Sequence, residues 1–159
     1  MNPIVATAVA ITNQAARAVA ENLKAMPPER QTWSPMDMGR TALSIVQECA
    51  VMNLFFAEAV RERRARQWTW DWYHAECAAL ETPEKAIAAL QASAAELTAA
   101  MQSLTDDQLQ TEVALAFGPG MQVTVQQMLF FPYWNMTYHQ GQLAYIQTLY
   151  GDREMYGMS

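Results

Sequence analysis

Trp134-Asn135-Met136-Thr137-Tyr138-His139-Gln140-Gly141-Gln142-Leu143 is the stretch from which the fold can be read. Asn135, His139 and Gln142 fall at i, i+4 and i+7, on one face of a helix, and Ile146 and Leu149 continue that face. A stripe that begins polar and ends apolar points into a core, where polar groups need partners. The run predicts a long helix packed on others, and its polar end is the first place to look for a functional site.

Outward from that run, the helix is predicted to start near Thr124 and to reach Tyr150, where Gly151 stops it. Pro132 removes the bond its N–H would give to the Met128 carbonyl, so a kink or bulge is expected one turn before Asn135. The alternative is a helix that begins at Pro132. Upstream, Thr82-Pro83-Glu84 is a helix start followed by the stripe Ile87, Leu90, Ala94, Leu97, Met101, Leu104, closed by Thr105-Asp106-Asp107. A helix over about Gly39 to Arg64 follows a loop through Trp33-Ser34-Pro35. The first helix takes Asn2 as N-cap and Pro3 at its first turn, and ends before Pro27-Pro28. Its apolar face is Val5, Ala8, Thr12, Ala15, Val19, Leu23, Met26.

Between these, Trp68-Thr69-Trp70-Asp71-Trp72-Tyr73-His74 reads as a short helix or an irregular cap. Residues 110–122, with Gly118-Pro119-Gly120, read as a loop with at most a short extended piece. Strand signals are otherwise nearly absent. Four antiparallel helices with a/d-like stripes make an all-α four-helix bundle, and 159 residues suit a single domain over 1–159.

The composition is 52% hydrophobic and 16% charged, which excludes disorder. No uninterrupted apolar run of membrane-spanning length is apparent, so no membrane is expected as a partner. Residues 1–10 lack a basic n-region, which argues against a secretory leader. Cys49 and Cys77 are isolated thiols, which suits a cytoplasmic location. A net charge of −6 argues against nucleic acid. The one basic cluster, Arg61 to Arg66, is better explained as a helix C-terminal turn than as an anion site.

Glu48 lies on an apolar helix face, between Ile45 and Met52 and beside Cys49 and Phe56. A carboxylate there must be paired, hydrogen-bonded or metal-bound. Glu48, Asn135 and His139 are expected to converge in the core, either as a hydrogen-bond network or as a site for a divalent ion such as zinc or nickel. Glu and His are good ligands for such ions and an amide oxygen is a poor one. His74, beside the tryptophans, reads as a surface or capping histidine.

Tyr138-His139-Gln140-Gly141-Gln142-Leu143, followed by Leu149-Tyr150-Gly151-Asp152, resembles the C-terminal helix signature of the DinB/YfiT-like superfamily. Arg40 to Ala50, preceded by Trp33 and Pro35, resembles that family's second-helix motif. The resemblance implies an up-down-down-up four-helix bundle, often dimeric, so a homodimer is expected. It also implies a divalent metal held by three histidines, with His139 at the last ligand position, Asn135 at the other fourth-helix position and Glu48 at the second-helix position. Two function classes follow. One is a metal-dependent hydrolase or thiol S-transferase with an altered metal site. The other is a non-catalytic bundle that binds a small apolar molecule or serves as a dimeric stress-associated protein.

Overall fold

The computed structural model describes residues 1–116 and 120–157, so Gly118 and Pro119 of the predicted loop lie outside the described residues. Helix α1 (Pro3–Ala25) is capped by the Asn2 side chain, which accepts from the Ile4 N–H. All seven residues of its predicted stripe are buried. After the single turn of α2 (Pro28–Gln31) comes α3 (Ala42–Glu62). It starts later than Gly39 because Pro35–Asp37 form a 3-10 turn and Thr41 is the cap, its hydroxyl accepting from the Ser44 N–H. It stops at Glu62 because Arg63 turns left-handed, at φ 51°. The tryptophan-rich connector is helical, α4 (Trp70–Ala79), and α5 (Pro83–Gln102) begins at its Thr82 cap.

An antiparallel hairpin follows, β1 (Glu112–Leu115) on β2 (Met121–Thr124), with Val113 opposite Val123. Val113 and Leu115 alternate inward and are buried. The predicted fourth helix is two: a single turn, α6 (Val125–Met128), started by a Thr124–Gln127 capping box, and then α7 (Phe131–Leu149). The break at Leu129–Phe130 puts Pro132 in the first turn of α7, where its missing N–H would have had no partner in any case.

Cross-helix contacts set the directions. Glu48 meets His139 and Phe56 meets Phe131, so α3 and α7 run antiparallel. Gln47 reaches Leu80 and Arg61 reaches Glu96, so α3 and α5 run parallel, which corrects the expectation of four antiparallel helices. Parallel neighbours need a crossover. Residues 63–82 supply it, and α4 runs back along α3 with Trp68 and Trp72 against Phe55. Asn2 bonds Asp106, so α1 opposes α5 and the order is up-down-down-up. Around the bundle α1 touches α5 and α7, and α3 touches α5 and α7.

The core has two lobes, one around Leu23, Ile45, Leu90 and Leu143, the other around Phe55, Leu97, Met101 and Leu129. Helix α3 runs through both. By length and composition alone it could cross a membrane, with an 18-residue window of mean hydropathy 1.4, although Gln47, Glu48 and Asn53 interrupt its apolar run. Its apolarity is accounted for by the bundle, since 67% of that window is buried inside it.

Candidate functional site

Glu48 and His139 face each other across the α3–α7 seam, near the junction of the two lobes. His139 Nε2–H donates to Glu48 Oε1 at 2.9 Å, and its ring is buried. Nδ1 lies 2.7 Å from the Gln142 side-chain amide, one turn further along α7. That amide can turn either end toward the ring, so it satisfies Nδ1 as donor or acceptor.

The other carboxylate oxygen, Oε2, is held from two sides. Arg40 NH1 sits 2.6 Å away, and the Tyr73 hydroxyl donates to it at 3.2 Å. Arg40 is placed by the turn just before α3, where its NH2 also donates to the Ser44 carbonyl. Tyr73 is placed by α4 lying along α3. Burial by itself would raise the Glu48 pKa, but the His139 hydrogen bond and the Arg40 charge outweigh it and lower it from 4.5 to about 2. Glu48 is therefore an anion at neutral pH. Burial and the Glu48 charge push the Tyr73 phenol well up, which keeps it a donor. Burial also pushes both thiols up, Cys49 strongly and Cys77 beside Tyr73, so neither is poised as a thiolate nucleophile.

Of the three sequence-predicted residues, Glu48 and His139 are brought into contact. Asn135, one turn before His139, instead lines a neighbouring cavity; its Oδ1 is buried and has no hydrogen-bond partner. Three more residues complete the polar cluster: Arg40, Tyr73 and Gln142. Sequence reasoning had placed Gln142 on the right face. Arg40 opens the second-helix motif but was given no role in the site, and Tyr73, in the tryptophan-rich connector, lies outside the two helices that carry the motifs. His74 is exposed and stacks beside Trp70, as expected for a surface histidine. Within the basic cluster Arg61 pairs with Glu96, Arg66 pairs with Glu58 and lies over the Trp72 ring, and Arg63 donates to the Arg61 carbonyl.

The fit to a divalent metal is poor. The donors are one imidazole, one carboxylate and one amide oxygen, and soft or borderline first-row ions discriminate against the last. The carboxylate already carries a guanidinium at 2.6 Å, so a dication beside it would face a fixed positive charge. Among the described residues no three His, Cys, Asp or Glu side chains gather in metal-holding positions.

One turn from the polar pair along both helices, a cavity of about 590 Å³ opens between α3 and α7. It is lined by Met52, Phe56, Met121, Phe130, Phe131, Trp134 and Asn135. Asn135 is the one polar residue in that lining. The tryptophans of the connector take no part in it: Trp68 and Trp72 pack on Phe55, and Trp70 is exposed.

A sequence profile of the DinB superfamily matches residues 11–143. No curated protein matches the chain. Among solved structures, YfiT from Bacillus subtilis, described as a probable metal-dependent hydrolase with an unusual four-helix bundle topology, is similar with a TM-score of 0.79 at 15% identity, over 96% of this chain and 91% of that one. The DinB-like protein YjoA from Bacillus subtilis is similar with a TM-score of 0.69 at 18% identity, over 94% of this chain and 95% of that one. At such identities the likeness is one of fold.

Proposed function

The chain belongs to the DinB superfamily, and from that premise we propose that it works as a metal-independent binding bundle for a small, largely apolar molecule carrying one hydrogen-bond donor. The observation that carries this reading is the cavity between α3 and α7. Its volume lies in the usual range for small-molecule sites, and its wall pairs six apolar side chains with one amide. The Asn135 amide supplies the polar demand: its Oδ1 is buried without a hydrogen-bond partner and faces the cavity once the amide turns about its last torsion. A donor brought in by a ligand would satisfy it and recover a desolvation cost of about 1–3 kcal/mol.

The hydrolase and thiol-transferase readings, drawn from the resemblance and from the description of YfiT, need an open metal coordination position or an activated thiol. The clamping of Glu48 by Arg40 and the raised thiols of Cys49 and Cys77 count against both. In the binding reading the Arg40–Glu48–His139–Gln142 chain has a different task. It locks the α3–α7 seam one turn from the cavity, so that the pocket walls keep their spacing.

The test is a titration with N-phenyl-1-naphthylamine, an apolar fluorophore with one N–H donor. Saturable binding at one site per chain is expected. Met52→Trp, which fills the cavity, should abolish it, and Asn135→Leu should weaken it more than it weakens a donor-free naphthalene analogue. Binding that survives Met52→Trp unchanged, or no saturable binding at all, would overturn the reading.

A further inference from the structure

Gly141 stands in the middle of α7 with no conformational or packing reason to be glycine. Glycine weakens a helix interior relative to alanine, so its place there needs a cause. The other described glycines have one. Gly39 and Gly157 leave no room for a Cβ, which would meet the Pro35 carbonyl oxygen at 2.9 Å and Ala18 Cα at 2.3 Å. Gly120 and Gly151 hold positive φ. Gly141 is helical, and a Cβ built on it meets nothing within 4 Å. The space beside it belongs to no other residue of the chain.

That space is the floor of a groove of about 470 Å³ between α7 and the turn at residues 35–40, a volume in the range of small-molecule sites. Tyr138 and Tyr145 stand about one turn before and after Gly141 on the same helix face, about 10 Å apart along the axis, with the glycine between them. Ile146 and Leu149, one and two turns beyond Gln142, make one end of the groove apolar. The other end is polar. Gln142 spends one end of its amide on His139 Nδ1, and the other end has no partner among the described residues. Arg40 gives NH1 to Glu48 and NH2 to the Ser44 carbonyl, and its remaining N–H groups are likewise unpaired among the described residues. The groove shares no lining residue with the cavity between α3 and α7, so it is a separate site and does not rest on binding in that cavity.

We propose that this groove is a second small-molecule site, which takes an uncharged carbonyl compound, an amide or ester with a flat aromatic body. The body lies over Gly141 between the two tyrosines, where a side chain at 141 would block it. The carbonyl oxygen accepts from the spare donors of Arg40 and Gln142. Charge selects the neutral acceptor. The Arg40 guanidinium is already offset by Glu48 at 2.6 Å, and the chain carries a net charge of −6, so the polar end offers donors without an excess of positive charge. A carboxylate in the same place would bring a second anion to one guanidinium that Glu48 already holds. A neutral carbonyl uses the same donors without that repulsion.

Equilibrium dialysis of the full chain against 2-naphthamide, 2-naphthoate and naphthalene tests this, with circular dichroism to confirm that each variant folds. Met52→Trp fills the cavity, so the naphthamide it still takes up reports the groove alone, and one molecule per chain is expected. Gly141→Leu should remove one naphthamide site per chain, in the natural background and in Met52→Trp alike, so failure of the groove and failure of the cavity are read separately. Arg40→Met and Gln142→Leu should each weaken naphthamide about tenfold and leave naphthalene nearly unchanged, and naphthoate should bind about tenfold more weakly than naphthamide. Gly141→Ala should melt no lower than the natural chain, since its methyl group meets no protein atom. No saturable uptake by Met52→Trp, uptake indifferent to Gly141→Leu, or naphthoate bound as tightly as naphthamide would overturn the proposal. So would a lower Tm for Gly141→Ala, which would give the glycine a structural cause.

Discussion

Glu48→Gln isolates the charge of the central cluster while keeping its shape. The amide oxygen can still accept from His139 Nε2–H, so what is lost is the anion that Arg40 and Tyr73 hold on the other side. The fall of the Glu48 pKa from 4.5 to about 2 corresponds to about 3 kcal/mol of preference for the ionised form, at 1.36 kcal/mol per unit. Glu48 is 21% exposed and Arg40 41%, so solvent screens part of this, and a cost of about 2 kcal/mol at pH 7 is the working value. For a chain of this size that is a drop of roughly 4–8 °C in Tm. The sign of the pH dependence follows from the lowered pKa. The stabilisation is complete above about 4.5 and is lost as pH falls from there toward 2, so the gap between natural and variant chains must close over that window. Urea denaturation of both proteins at pH 7, 5 and 3, followed by tryptophan fluorescence, measures the gap directly. A gap that is the same at all three values, or absent at pH 7, would refute the account of Glu48 as a clamped anion.

Two further outcomes follow from the same structure. Gly157 sits at φ +71°, and a Cβ there would lie 2.3 Å from Ala18 Cα on α1, so Gly157→Ala should lift the C-terminal segment and break the Asn22 bond to the Tyr156 carbonyl. That should lower stability by about 1–2 kcal/mol and speed proteolytic trimming of the tail, both read in a thermal melt and a timed protease digest. Isothermal titration with zinc or nickel should show no stoichiometric uptake by the natural chain. The triple variant Arg40→Ala/Glu48→His/Asn135→His, with the guanidinium removed and three imidazoles offered, should gain it; equal uptake by both proteins would count against the guanidinium argument.

Much of the fold was legible because the helix boundaries have local causes. The Asn2, Thr82 and Thr124 caps and the stripes of α1 and α5 are written in consecutive residues, and the structure has them where the periodicity put them. The differences arise where the deciding interaction is not local. The start of α3 depends on whether residues 35–41 turn or coil, and the turn was invisible without the packing of Pro35 beneath Gly39. The hairpin is four residues per strand, too short for alternation to stand out, and its stability comes from Val113 and Leu115 packing into the lobe around Phe55, Leu97 and Leu129. The parallel pairing of α3 with α5 could not be read from either stripe, since a buried stripe does not state the direction of its neighbour. The clues were the up-down-down-up order that the family resemblance implies and the long connector, residues 63–82, in which the chain travels back before α5 begins.

The candidate site divides along the same line. An inward carboxylate on α3 and an i, i+4 pair on α7 are sequence facts, and desolvation alone requires that Glu48 find a partner. Which partner it finds is a tertiary fact. His139 was predicted because a helical face carries it. Arg40 arrives from the turn before α3 and Tyr73 from a crossover helix. Neither position has a periodicity to betray it. Their arrival changes the chemistry: with His139 alone, Glu48 would keep one carboxylate oxygen free for a cation, whereas Arg40 and Tyr73 occupy that oxygen. Asn135 then has no reason to turn toward the pair, and it stands on the apolar wall with its oxygen unmatched. The same displacement that makes the polar cluster a poor metal site thus leaves the adjoining cavity with the one polar group it needs to orient a ligand.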